Sequence, residues 1–546
     1  MMRCMRMQFP FQLFLLLSFL TTSIASNENN EVVSETCADE NASDGESSVQ
    51  SSSTPSSLLV PDACGIVLAH VSENDWRVYS LMDRKRSSPI VPYGDVVQQL
   101  ADMDIDATSL SGRTWNGQET GGQYEGYDKV DSLVPGIAMM ARNVNSKKPN
   151  LLPFVPRVDE AGLTRQQSPG AGSITHYHNY TLFFTRDIGA GEELIMPNRA
   201  TGDKSVRDQE VTEEDADENP TLFDLIQTGY CLDNIKPKKS RIKDAGRGAF
   251  ATRDFEEGTI VAPVPVLPIS RAALEFEASD GSPTYQLLLN YCFGSKDDPS
   301  TLFYPFGPWI NLINHYPKTN VKLQWRNQKV PSASKDSVDM MMMMTMELVA
   351  TKDIKAGEEL FLDYGSSWEE AWHQHRQNWE PVTDHYSPGY VVDDTIRLLR
   401  TESEQKDHPY PPNIDTSCFY RYSDRTGEEK ASIKKDSSDK VQTFQWKATK
   451  GLYDPKFLRP CKVLQRKETA KGRSGYAVRM FNRPGLDEAE RIPKGEMHLV
   501  THIPRNAIRI TDKPGTTDQH LPGAFRHEIN LPDDVFTTEF MKEFHN

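Results

Sequence analysis

At 546 residues the chain is longer than one hydrophobic core fills, so roughly two to four domains are expected. Its 37% hydrophobic and 25% charged residues are ordinary for a folded protein. The formal net charge of −17 argues against a general nucleic-acid binder, which needs clustered Lys and Arg to neutralise phosphate, and favours basic partners.

The N-terminus opens with the arginines of MMRCMRMQ, continues through the apolar run FPFQLFLLLSFL and reaches SIAS, where Ser23 and Ala25 fit a small-x-small cleavage pattern. This tripartite layout predicts a secretory leader over 1–25 and a secretory or extracellular address. If the leader does not function, the chain is nuclear or cytosolic. No later stretch is apolar enough for a spanning helix, so no membrane span is expected in the mature chain. Beyond Cys4, the cysteines Cys37, Cys64, Cys231, Cys292, Cys418 and Cys461 lack any C-x-x-C spacing. They permit disulfides without indicating a zinc cluster, and their pairing cannot be read from spacing. Asn41 and Asn179 head N-x-S/T sequons that matter only in a secretory lumen.

Residues 26–60 are rich in Ser and Glu and predict a disordered tether. A folded unit is expected over 64–200, followed by an acidic linker over 201–226. A second unit over 227–366 alternates short strand-like runs with Gly, Pro and Asn punctuation; GTIVAPVPVLPI carries prolines that point to edge strands. RAALEFEA and TYQLLLNYCF read as short helices within it, and Met340 to Met344 stand where a strand is expected, as adaptable packing. Trp368, Trp372 and Trp379 place one apolar face on a helix over 367–382. A connection over 383–440 leads to alternating runs over 441–546 that predict a small β-barrel-like domain with a C-terminal extension. The fold class is mainly β with short helices, α+β.

One decapeptide occurs twice: TRDIGAGEEL at 185–194 and TKDIKAGEEL at 351–360 agree at eight of ten positions with an offset of 166. A repeat this distant indicates duplication of a whole domain, not a solenoid. In the later copy three segments carry candidate chemistry. Gly246 and Gly248 flank Arg247 in a turn that lets backbone approach a ligand. Asn314 and His315 follow the apolar run WINLI, with Asn320 six positions on, and supply donors and acceptors for a buried edge. Tyr364 ends a strand beside Gly365.

Together, S-x-I-x-x-A-G-R-G-x-F-A, then N-H, then A-G-E-E-L-x-x-D-Y-G resemble a SET domain, the fold of S-adenosylmethionine-dependent protein lysine methyltransferases, over about residues 227–366. The resemblance implies a SET-type β-clip fold in tandem. It also implies S-adenosylmethionine as cofactor, held by Gly246, Arg247, Gly248, Asn314 and His315, with Tyr364 catalytic where the methyl passes to lysine. The substrate would be a protein or peptide presenting lysine, and no metal is implied. Such chemistry needs a neutral amine, which a desolvated channel favours, and an in-line approach. Tyr364, with an unperturbed pKa of about 10, suits a hydrogen-bonding role better than that of a general base.

This chain departs from the family in reading NHYPKTN where N-H-S-C-x-P-N is usual, and in lacking a Cys-rich segment after Gly365 to close the channel. Aligning the repeats puts Asn198 opposite Tyr364 and Pro197 opposite Asp363, and the upstream part of the first copy has no G-x-G. That copy is expected to be a degenerate, catalytically silent SET-like partner. The alternative for the whole chain is a silent SET scaffold that serves protein binding.

Overall fold

The computed structural model describes residues 64–116, 130–154, 168–170, 181–197, 220–326, 344–423, 440–513 and 521–537, with short breaks inside several of these. The expected leader, the tether, both sequons, Cys4, Cys37, Asn198 and Met340 to Met343 lie outside the described residues. Among the described residues no helix is long and apolar enough to cross a membrane.

The chain is mainly β. Its central sheet has six strands, in the order Val321–Trp325, Thr345–Ala350, Ile260–Ser270, Thr301–Pro305, Phe293–Gly294 and Ile529–Asn530. Ile260–Ser270 lies inside this sheet although it contains Pro263, Pro265 and Pro268, where the sequence pointed to an edge. It changes partner halfway: residues up to Pro265 pair with Thr345–Ala350, and those from Val266 on pair with Thr301–Pro305. Each half is thus an edge on one side, so the missing proline donors interrupt no ladder. The two expected helices are single 3-10 turns, Arg271–Leu274 and Leu287–Tyr291, separated by the paired strands Glu275–Glu277 and Pro283–Tyr285.

The two halves repeat the same bonds. Asn314–His315 pairs in parallel with Phe361–Leu362, and Arg142–Asn143 pairs in parallel with Ile195–Met196. Asn320 donates to the Glu359 carbonyl at 2.9 Å and accepts from Phe361 N–H at 2.8 Å. Asn150 donates to the Glu193 carbonyl and accepts from Ile195 N–H, both at 2.7 Å. Bridges Phe250 to Glu359 and Tyr79 to Glu193 complete the correspondence. One apolar core joins both halves, from Ile66 through Phe306 to Phe536.

A separate core, including Leu399, Tyr476, Val500 and Ile510, belongs to the C-terminal region. Its six strands run in the order Lys440–Gln445, Glu496–Pro504, Ser474–Met480, Leu458–Glu468, Ile414–Phe419 and Ile508–Asp512. Ile414–Phe419 lies in the stretch expected to be a connection, and there Leu399, Tyr410 and Ile414 are buried. Likewise the helix Leu222–Thr228, closed by a Thr221–Asp224 capping box, begins within the expected acidic linker.

After this domain the chain returns to the central sheet. Ile529, Leu531, Val535 and Phe536 bury their side chains in the main core, and Phe536 stacks on Phe303 with ring centroids 4.9 Å apart. Each such side chain contributes about 1.5–3 kcal/mol, so the segment is held too firmly for a weak ligand to displace.

Disulfides join Cys64 to Cys231 across 167 residues and Cys418 to Cys461 across 43, while Cys292 is buried with a free thiol. The first ties the start of the N-terminal half to the start of the second. Reducing the native chain is expected to cost about 2–4 kcal/mol per bridge, lowering the melting temperature in a thermal scan by several degrees. Alkylation before reduction should leave those four cysteines unlabelled, as peptide mass spectrometry would read.

Candidate active site

Three chain segments meet around the carboxylate of Glu359, which is 1% exposed. Ser240 Oγ donates to it at 2.6 Å, Arg241 N–H at 2.8 Å and Asn314 Nδ2 at 3.3 Å. A buried carboxylate needs several donors to offset its lost hydration, and these three come from two separate segments. Asn314 Nδ2 also donates to the Arg247 carbonyl at 2.9 Å, tying the parallel ladder to the glycine turn. Gly246 has φ +71° at the entry to that turn. A Cβ on Gly248 would collide with Glu359 Oε1 and lie 3.2 Å from Asn314 Nδ2, so only glycine fits. The Arg247 side chain is buried in the strand that leaves the turn.

His315 connects this group to Tyr364. The Tyr364 N–H donates to His315 Nδ1 at 3.0 Å, so that nitrogen accepts and the proton sits on Nε2, which donates to Glu369 Oε1 at 2.9 Å. The Tyr364 hydroxyl donates to the Ile313 carbonyl, one residue before Asn314. Desolvation pushes this hydroxyl's pKa up, and Tyr291 close by raises it further. Tyr291 is raised by burial too, with Arg247 opposing.

A narrow apolar cleft opens beside the hydroxyl. Tyr291, Phe293, Ile310, Asn311, Ile313, Leu362, Tyr364 and Ile529 line it. Asn311 Nδ2 lies 3.4 Å from the Tyr304 hydroxyl, while its buried Oδ1 has no hydrogen-bond donor among the described residues. An oxygen in that state is an acceptor available to whatever enters the cleft.

The helix Ser366–Asn378 follows directly. Trp368 meets Tyr364 edge-on at 4.9 Å and lies 5.2 Å from His315, and Trp372 stacks on Trp368 at 5.9 Å. No helix residue is fully buried, because the indoles pack on the site and on Phe525 rather than on the sheet.

Gly246 turns the chain into the strand that Arg247 and Gly248 begin, Asn314 links that strand to the ladder, and His315 links the ladder to Tyr364. Glu359 was not singled out, although it lies within the repeated AGEEL, whose recurrence in both halves was the available signal. Tyr291 and Asn311 gave no sequence signal. Among the described residues, Cys64, Cys231 and Asp233 are close enough for a metal, but the two sulfurs form a disulfide.

The SET domain family matches residues 246–365. The chain is 28% identical over 165 residues to the N-lysine methyltransferase KMT5A-A of Xenopus laevis and to KMT5A of Xenopus tropicalis, covering 28% of this chain and 42% of each relative. It therefore spans less than half the length of the curated relatives it matches. The Chaetomium thermophilum polycomb repressive complex 2 is similar at 23% identity and a TM-score of 0.18, over 26% of this chain and 17% of that one. A second such structure, of ctPRC2 bound to S-adenosylmethionine, is similar at 22% identity and a TM-score of 0.18, with the same coverages of 26% and 17%.

Two measurements check the geometry. Gly248→Ala is expected to destabilise the fold by about 1–3 kcal/mol through overpacking, read by denaturant unfolding. For Tyr364 the folded pKa lies above the unfolded value, so its contribution is full below pH of about 10 and is lost as the pH rises further. Tyr364→Phe should therefore flatten the alkaline arm of the stability profile.

Proposed function

We propose that residues 227–366 form the catalytic domain of a protein lysine methyltransferase using S-adenosylmethionine. The observation that carries this reading is an apolar cleft lined by Tyr364, with its neutral hydroxyl, and by Asn311, whose amide oxygen has no donor among the described residues. Ile313 and Leu362 of the cleft adjoin or belong to the ladder of Asn314–His315 with Phe361–Leu362, within the residues that the SET domain family matches.

The residues fit the cofactor. Gly248 lets Glu359 and Asn314 approach the backbone beside Arg247, and Asn314 is held by the Arg247 carbonyl and Glu359. S-adenosylmethionine, when bound, supplies an electrophilic methyl on a sulfonium. The acceptor must be an amine with a free lone pair. Phe293, Ile310 and Leu362 exclude water from the cleft, which disfavours an ammonium ion and lowers the lysine pKa. Because the Tyr364 hydroxyl donates to Ile313, its lone pairs remain as acceptors for an amine proton or a polarised C–H group. Asn311 Oδ1 can serve the same end. Holding the amine in line contributes more than any proton transfer by Tyr364, which burial keeps protonated.

The N-terminal half is, in this proposal, a degenerate SET-like copy. In the shared bonding scheme Arg142 takes the place of Asn314 and Glu193 that of Glu359. Arg142 grips Glu193 through Nε at 2.7 Å and its second nitrogen at 3.0 Å. A bidentate ion pair thus stands where the other half has the Asn314–Glu359 hydrogen bond, which supports a silent partner. The small barrel-like C-terminal domain is proposed to position a protein substrate presenting lysine. The proposed setting is an oxidising, secretory compartment, supported by two disulfides in the folded chain.

Incubating the full chain with methyl-labelled S-adenosylmethionine and a lysine-containing protein extract tests this reading. Wild type should label lysine, and Tyr364→Phe should lower kcat by at least about tenfold with cofactor affinity within about threefold. Calorimetry should find a single cofactor per chain. Binding without transfer, or no binding at all, would favour the silent scaffold.

A further inference from the structure

The strand that closes the central sheet beside Tyr364 comes from the far end of the chain. Ile529 pairs with Phe293 in parallel, and its N–H donates to the Cys292 carbonyl at 2.9 Å. The next residue, Asn530, turns toward the site. Its N–H donates to the Tyr364 carbonyl at 3.0 Å, and its side-chain Nδ2 donates to Ser367 Oγ at 2.7 Å. Its carbonyl lies against the Cα of Gly365, where φ is +85° and a Cβ would collide with it. One buried residue therefore grips both ends of the turn Tyr364–Ser367 and requires the glycine between them.

We infer that Asn530 is a positioning residue for Tyr364, and that residues 525–531 are part of the active site. The inference rests on the methyltransferase reading for its kinetic consequence and on geometry alone for the clamp. Tyr364 is held at three points: its hydroxyl on Ile313, its N–H on His315 and its carbonyl on Asn530. The first two come from the segment that builds the cofactor side, and only the third is independent of it. Without the Asn530 side chain the turn keeps its backbone anchors on His315 and on the Asn530 N–H but loses the bond that fixes Ser367, so it can pivot and move the ring in the cleft.

Neighbouring residues hold the segment in register. Arg271 grips Glu528 with two nitrogens at 2.7 and 3.1 Å, and Trp325 Nε1 donates to the Val535 carbonyl at 2.7 Å. Phe525 packs edge-on against Trp368 and Trp372 at 5.5 and 5.1 Å, closing the indole side of the site. Ile529 itself lines the cleft. The burial of this segment in the main core makes it a fixed wall and not a displaceable occupant.

The test uses the full chain labelled with 3-fluorotyrosine, with the Tyr364 resonance assigned by its loss in Tyr364→Phe. Asn530→Ala is expected to shift or broaden that resonance and to lower kcat about tenfold, with cofactor Kd unchanged within about twofold. Ser367→Ala removes the same side-chain bond from its other end and should do the same. Asn530→Asp, which Ser367 can meet as donor, should restore both readouts. If the resonance stays in place in Asn530→Ala and Ser367→Ala, the inference is wrong, whatever happens to turnover. Should wild type transfer no methyl, the function fails while the resonance still decides the clamp.

Discussion

A two-residue parallel ladder, Asn314–His315 against Phe361–Leu362, fixes the position of almost every group in the site. A parallel pair needs a connection that returns the chain to the same end before it pairs, here the residues between His315 and Phe361. The ladder is stabilised at its edges by polar side chains. Asn320 bonds to the backbone on either side of Leu360, and Glu359 gathers donors from Ser240, Arg241 and Asn314. Because Asn320 and Glu359 are buried, losing either leaves its partners unsatisfied, and the arrangement is held as a unit.

The corresponding ladder in the N-terminal half carries different side chains. There Asn150 does the work of Asn320, so the backbone path is maintained, while Arg142 and Glu193 close on each other. The N-terminal half thus has the asparagine of the other half and replaces its Asn314–Glu359 hydrogen bond with an ion pair. The shared apolar core gives that packing a purpose, since Gln286 Nε2 donates to the Ala101 carbonyl and Gly136 N–H to that of Phe306. On the proposed reading, the silent half braces the sheet that carries the active cleft.

Much of the site was legible because its residues have unusual chemistry at fixed spacing: G-x-G, N-H and D-Y-G each constrain backbone or polar partners locally. Glu359 was harder, since AGEEL reads first as a turn, and only its recurrence at Glu193 hints at a buried role. The proline-bearing strand misled because a central strand that changes partner halfway satisfies the rule for edges twice over. Ile414–Phe419 was taken for connection because IDTSCF is polar and short, its burial being decided by Cys461 and the strand around it. The return of residues 525–536 had no sequence signal at all. A two-residue parallel pairing across more than two hundred residues leaves no periodicity to read.

The central claim is that this cleft transfers a methyl group to a lysine amine. The most direct measurement is tryptic mass spectrometry of a secretory-protein extract after incubation with isotopically labelled S-adenosylmethionine and either the wild-type chain or Asn314→Ala. The account predicts labelled methyl on lysine with wild type and its loss with the variant. Equal lysine labelling by both, or none by wild type under conditions in which it binds the cofactor, would contradict it.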